Sequence, residues 1–169
     1  MFIDHTVDSA PPAARRTMAA TGKRLGRIPP AVARMAESPE LLDGFLKSSA
    51  LFEASTLDPI AREVVVMTMA TRNHCHVCVA MHTGKLKALN AGPDVVAALT
   101  DQSPLPDRGL EAIRTFTLEV LRTAGEVDDD TLTAFLEAGY THRNALEVVL
   151  GIGAYTMSTL ANRMTAAPA

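Results

Sequence analysis

Residues 63–82 read EVVVMTMATRNHCHVCVAMH. The fold turns on whether this stretch is one helix, a strand and a helix, or two helices. Asp58-Pro59 before it is a helix start signal, with Asp as N-cap and Pro at the first helical position. The β-branched run Val64-Val65-Val66 is also compatible with a buried strand. Length and the cap favour a helix from Pro59 to about Arg72. Cys75 then opens a second helix, which runs to a stop at Asn90-Ala91-Gly92.

The stretch holds both cysteines of the chain, as Cys75-His76-Val77-Cys78, with His82 following and Glu63 preceding. On a helix, Cys75, Cys78 and His82 share one face, at spacings of three and four. Helix N-terminal amides and a neighbouring imidazolium both stabilise a thiolate. Adjacent-turn cysteines near a helix start come within disulfide range, so the spacing predicts a reversible Cys75–Cys78 disulfide. Glu63 joins this group only if the chain reverses at Asn73-His74. In one straight helix it would lie about 18 Å from Cys75. With a reversal, Glu63 lies about 15 Å before the turn and His82 about 12 Å after it, so the two come level. A carboxylate–imidazole–thiol relay is then possible.

Outward from this stretch the chain offers only helices. Residues 1–12 form an irregular lead-in, followed by a short basic helix from Pro12 to about Leu25. A turn of helix follows Pro29-Pro30, and Ser38-Pro39-Glu40 starts another, with Leu41, Leu42, Phe45, Leu46 and Phe52 on one face. Further helices are expected from Pro93, from Pro106-Asp107 to about Ala124, and from Asp128 to Ala138. Leu110, Ile113, Phe116, Val120 and Leu121 form the core stripe of the second of these. Thr141 caps a last long helix to about Met164 that is apolar on most sides, with Gly151 and Gly153 leaving room for close approach. Such a helix is buried in the domain or in a subunit contact. Met67, Met69 and Met81 read as core filler. The expected fold is all-α, a bundle of about seven or eight helices, with residues 1–25 as lead-in and short helix and 26–169 as the helical domain.

At 169 residues, with 47% apolar and 21% charged residues, the chain suits one domain with a sizeable core. Formal net charge is −3, and no basic run suggests nucleic acid or an anionic membrane. No window approaches a membrane span, and the N-terminus, with acidic residues and no apolar core, does not read as a signal peptide. The expected compartment is the cytoplasm, where a C-x-x-C is catalytic or metal-binding more often than a structural disulfide.

Other readings of the cysteines remain open. They could be buried structural thiols. With His74, His76 and His82 they include enough ligands for zinc, but no second ligand cluster exists elsewhere. His74 and His76 singly read as exposed or capping groups. A strand VVVMT before a C-x-x-C helix would match a thioredoxin-like arrangement, but no second or third strand follows.

The pattern E-x(11)-C-x-x-C-x-x-x-H resembles the alkylhydroperoxidase D-like family, within the carboxymuconolactone decarboxylase superfamily. The likeness is tight over the site motif and looser over the S-P-E-L-L helix and the apolar C-terminal helix. It implies an all-helical homo-oligomer, trimer or hexamer, that reduces hydroperoxides without a metal or cofactor. It implies Cys78 as the attacking thiol, Cys75 as the resolving thiol, and Glu63 and His82 as a proton relay. The helix dipole argues the other way, for Cys75 as the more stabilised and more exposed thiolate. Some members carry a relay histidine directly before the second cysteine. Here that position is Val77, with His76 one place earlier, so no role for His76 carries over. The expected function is a thiol peroxidase or dithiol oxidoreductase, recharged by a dithiol protein or small thiol. The alternative is a zinc-binding or oxidant-sensing regulator without turnover.

Overall fold

The Val64-Val65-Val66 run is helical, and its surroundings explain why. The computed structural model describes residues 1–169 as nine helices and no strand: α1 Pro12–Leu25, α2 Pro30–Met35, α3 Pro39–Glu53, α4 Pro59–Arg72, α5 His76–Ala88, α6 Pro93–Asp101, α7 Arg108–Thr123, α8 Asp129–Glu137 and α9 His142–Met164. Helix α4 lies at the centre, packed by α5, α6, α7 and α9. Its residues from Glu63 to Thr71 are all buried. A β-branched residue costs a helix up to about 0.7 kcal/mol relative to Ala. Full burial of a valine side chain contributes about 1.5–3 kcal/mol, so packing decides against the strand.

The helix starts follow the local chemistry of the sequence. The side chains of Ser38, Asp58, Asp107 and Asp128 each accept a backbone N–H at the start of α3, α4, α7 and α8. Thr141 and Asn144 exchange such bonds in a capping box at α9. The short α2 stands as a helix of its own, which brings the number to nine. In α7, Ile113, Phe116 and Val120 are buried as expected, while Leu110 and Leu121 are half-buried against the same core.

Two apolar cores meet along α9. The larger joins α4 to α5–α9, and the smaller joins α1, α2 and the start of α3 to Ala161. Phe45 packs against both. Arg34 ties the lead-in to the C-terminus, bonding Asp4 Oδ1 and the carbonyls of Thr165 and Ala166, each at 2.6 Å.

Gly153 and Met81 depart from expectation. A Cβ at Gly151 would lie 2.7 Å from the Phe52 ring, so that glycine does allow close approach, but nothing lies within 4 Å of a Cβ at Gly153. Helix α9 buries one side in the domain, while Leu146, Val149, Leu160 and Met164 are exposed on the single chain. Met67 and Met69 are core residues, whereas Met81 is exposed on the solvent side of α5 and lines a cavity. No helix is long and apolar enough to cross a membrane.

Candidate active site

The chain does reverse where Glu63 requires it. Helix α4 ends at Arg72, His74 adopts a left-handed φ of 50°, and Cys75 caps α5. Cys75 N–H donates to Ala70 O at 2.9 Å, closing the turn. The turn is also held from outside: Asn73 Nδ2 donates to Thr159 Oγ1, and Arg163 Nη1 to Asn73 O, both at 2.8 Å.

The two sulfurs lie 3.0 Å apart as free thiols, and each residue is only 1% exposed. Cys75 was expected to be the exposed member, but the turn packs it against Ala70 and beneath Asn162. It does not begin the helix but precedes it, with extended backbone. Its sulfur occupies the position from which an N-cap side chain meets the first free amides. The hydrogen bond from Cys78 stabilises a Cys75 thiolate most. It outweighs the cost of burial, and the Cys78 and Val77 amides and Asn162 add to it, bringing the Cys75 pKa down to about 6. Sharing with that thiolate, and then burial, push the Cys78 thiol up. The pair shares one proton between the two sulfurs, and its contacts favour charge on Cys75.

Glu63 and His82 meet as the reversal predicts. His82 Nδ1 lies 2.6 Å from Glu63 Oε2, and both side chains are buried. Lys85 Nζ lies 2.8 Å from Glu63 Oε1 and also pairs with Glu53. Burial alone would raise the Glu63 carboxyl, but the contacts with His82 and Lys85 outweigh it and hold the group below its ordinary value. An ionised carboxylate only accepts, so Nδ1 carries a proton and Nε2 is the nitrogen left to exchange one. The imidazole stands edge-on to Tyr155, with ring centres 5.2 Å apart. His82 follows Cys78 by one turn on α5.

Helix α9 supplies a wall that sequence reading missed. Asn162 Nδ2 lies 3.4 Å from Cys78 Sγ and 3.9 Å from Cys75 Sγ. Ser158 Oγ lies 3.8 Å from Cys78 Sγ. The Asn162 Oδ1 is buried and has no hydrogen-bond partner. Tyr155, Ser158 and Asn162 fall at spacings of three and four, a polar stripe in an apolar helix and the one signal that could have found them. Lys85, three residues after His82, gave a comparable signal. His74 and His76 are both exposed. No group of three or more His, Cys, Asp or Glu side chains is arranged to hold a metal ion.

The site opens on a cavity of about 870 Å³ between α1, α2, α3, α5 and α9. His82, Tyr155, Ser158 and Asn162 form its buried end, with Cys78 directly behind the last two.

The model of the carboxymuconolactone decarboxylase family matches residues 37–122, which take in the whole α4–α5 hairpin. This chain belongs to that family. No curated protein matches it. Among solved structures, a peroxidase-related protein from Ralstonia eutropha with an alkylhydroperoxidase AhpD core superposes with a TM-score of 0.85 at 19% identity, covering 99% of this chain and 90% of its own. A debrominase, Bmp8, solved with 2,3,4-tribromopyrrole, superposes at 0.72 with 14% identity, covering 93% of this chain and 85% of its own. An Agrobacterium tumefaciens protein described as a putative antioxidant defence protein AhpD gives 0.63 at 16% identity, covering 79% and 91%. At such identities the likeness is one of fold.

Proposed function

We propose that this family member is a dithiol peroxidase, reducing a hydroperoxide through Cys78 and Cys75 with Glu63 and His82 relaying the proton. The observation that carries the reading is the buried pair of sulfurs at 3.0 Å, one helical turn from a histidine bonded to a buried glutamate at 2.6 Å. Structural thiols would need no such dyad. A zinc site would need its histidines beside the cysteines, whereas His74 and His76 face solvent.

Cys78 passes its proton to the Cys75 thiolate and attacks the terminal oxygen of the hydroperoxide. The O–O bond breaks, and the departing alkoxide takes a proton from Nε2 of an imidazolium that Glu63 stabilises. The Cys75 sulfur then attacks the Cys78 sulfenic acid, and its proton leaves with the hydroxyl as water. The dithiol has given two electrons. An external dithiol, protein or small molecule, returns them with two protons. Cys78 is assigned the attack because it neighbours His82 and the cavity wall, and because the family resemblance points the same way. The low pKa of Cys75 makes it the local base for that step.

The test is a turnover assay of the reduced protein with a panel of hydroperoxides and dithiol reductants. Single-turnover oxidation should remove two hydrogens from one peptide holding both cysteines. Cys75→Ser should still consume one equivalent of peroxide and stop as sulfenic acid. A fast reaction retained in Cys78→Ser would reverse the roles. No consumption of any peroxide by the reduced wild type would reject the peroxidase reading.

A further inference from the structure

The cavity in front of the sulfurs is far larger than hydrogen peroxide needs. A water molecule in the liquid takes about 30 Å³, and a peroxide of two oxygens is not much bigger. The 870 Å³ here falls among cavities that hold whole organic ligands. Its middle is apolar, between Met35, Phe45 and Leu46 on one side and Met81 on the other.

The two ends differ in chemistry. The outer end is bounded by α1, which turns Thr17, Ala20 and Thr21 toward the cavity, with Arg16 and Arg24 on the same face. These arginines stand about 12 Å apart along the helix and are exposed. Neither forms an ion pair. The only carboxylate lining the cavity, Glu53, is already paired with Lys85 and lies 3.9 Å from Arg62. A chain of formal net charge −3 thus gathers spare positive charge at this opening. The inner end carries the opposite need. Asn162 is buried, lines the cavity beside Cys78, and its Oδ1 has no donor. With His82 and Ser158 beside it, this end is polar and suits a hydroxyl or hydroperoxyl group.

We propose that the cavity takes an amphipathic organic acid, its anionic head at Arg16 and Arg24, its apolar body along the cavity, and a polar O–H at the inner end beside His82, Ser158 and Asn162. Resting on the peroxidase reading, that group is the terminal O–H of an organic hydroperoxide, its outer oxygen before Cys78. The hydroperoxide leaves as the corresponding alcohol, and the dithiol is oxidised as set out above. Arg16 and Arg24 select the substrate but do not touch the reacting atoms.

Binding and chemistry separate experimentally. Calorimetry on the reduced full-length protein with decanoate and decan-1-ol compares charged and neutral heads on one apolar chain, with no redox step. Decanoate should bind about five- to tenfold more tightly, the range of an Arg–carboxylate contact near the surface. The preference should vanish in Arg16→Gln/Arg24→Gln and weaken with salt. Equal affinity for the two ligands, binding of neither, or a preference that survives the double substitution would overturn the proposal. Single-turnover rates with a long-chain fatty-acid hydroperoxide and its methyl ester provide the second arm. The acid should react faster by a similar factor, and the ratio should fall to about one in the double variant. Reaction with neither hydroperoxide, alongside preferential decanoate binding, would reject the peroxidase reading and leave the acid site standing.

Discussion

At the scale of single residues, the site depends on which groups hold charge when nothing is bound. The proton shared from Cys78, with smaller help from the Cys78 and Val77 amides and Asn162, brings the Cys75 pKa to about 6 against the cost of burial. Thiolate absorbance at 240 nm in the reduced protein should therefore rise by one thiolate with a midpoint near pH 6. Cys75→Ser should remove that transition. A first rise only above about pH 8, where ordinary cysteine titrates, would show that these contacts do not stabilise the charge. Glu63 gives a second expectation. Its folded pKa is depressed, so it contributes stability in full above the ordinary value of 4.5 and loses it as pH falls through the lower folded value. The Tm of wild type should then fall more steeply than that of Glu63→Gln on acidification below pH 4.5. At neutral pH, Glu63→Gln should fold and lose about 100- to 10,000-fold in peroxide turnover, as general acid–base groups do. A parallel acid response, or an unchanged turnover rate, would show that the Glu63–His82 bond does neither job. The sequence made these four residues legible because a single hairpin carries them, and one left-handed residue, His74, brings them together. It marked Ser158 and Asn162 only as part of a polar stripe in an apolar helix, because they reach the sulfurs from some eighty residues later through tertiary packing.

At the scale of elements, α9 carries two glycines with opposite roles. Gly151 faces the Phe52 ring, and a methyl group there would lie 2.7 Å from it. Phe52 is wholly buried in the main core and cannot swing out of the way. Gly151→Ala should lower stability by about 1–3 kcal/mol, the usual cost of overpacking. Gly153 is exposed with open space around it, so Gly153→Ala should raise stability by about 0.5–1 kcal/mol through helix propensity alone. Urea denaturation of the two variants checks both signs, and a shift in the same direction would contradict this packing of α3 on α9. The two glycines look alike in sequence because helical periodicity gives a face but not its partner. Helix starts were more legible, since Ser38, Asp58, Asp107, Asp128 and Thr141 act through local bonds that need no partner. Met81 was misread for the same reason as Gly153. On α5 the buried face belongs to Cys78, His82 and Leu86, and Met81 beside it faces solvent at the cavity's edge.

At the scale of the whole molecule, the face of α9 turned away from the site remains uncovered. Leu146, Val149, Gly153 and Leu160 fall at spacings of three, four and seven, a seam suited to a second helix, and all four are exposed. Leu146 is 73% exposed and Leu160 50%. Tyr155, Ser158 and Asn162 project from the other side of the same helix, toward the sulfurs. A homo-oligomer joined along this seam would bury the apolar stripe and steady the catalytic wall from behind. Light scattering should accordingly give a mass above the 18.0 kDa of one chain, with threefold and sixfold multiples expected from the family resemblance. Leu146→Glu/Val149→Glu should shift the protein toward 18.0 kDa and make the wild type's concentration-dependent Tm independent of concentration. If wild type already runs as a single chain at micromolar concentration, the seam is not an assembly face. The double variant should retain the 240 nm thiolate transition, because Cys75 draws its stabilising contacts from Cys78, Val77 and Asn162 of its own chain. Loss of that transition on dissociation would mean that the dithiol is organised by the assembly rather than by the α4–α5 hairpin.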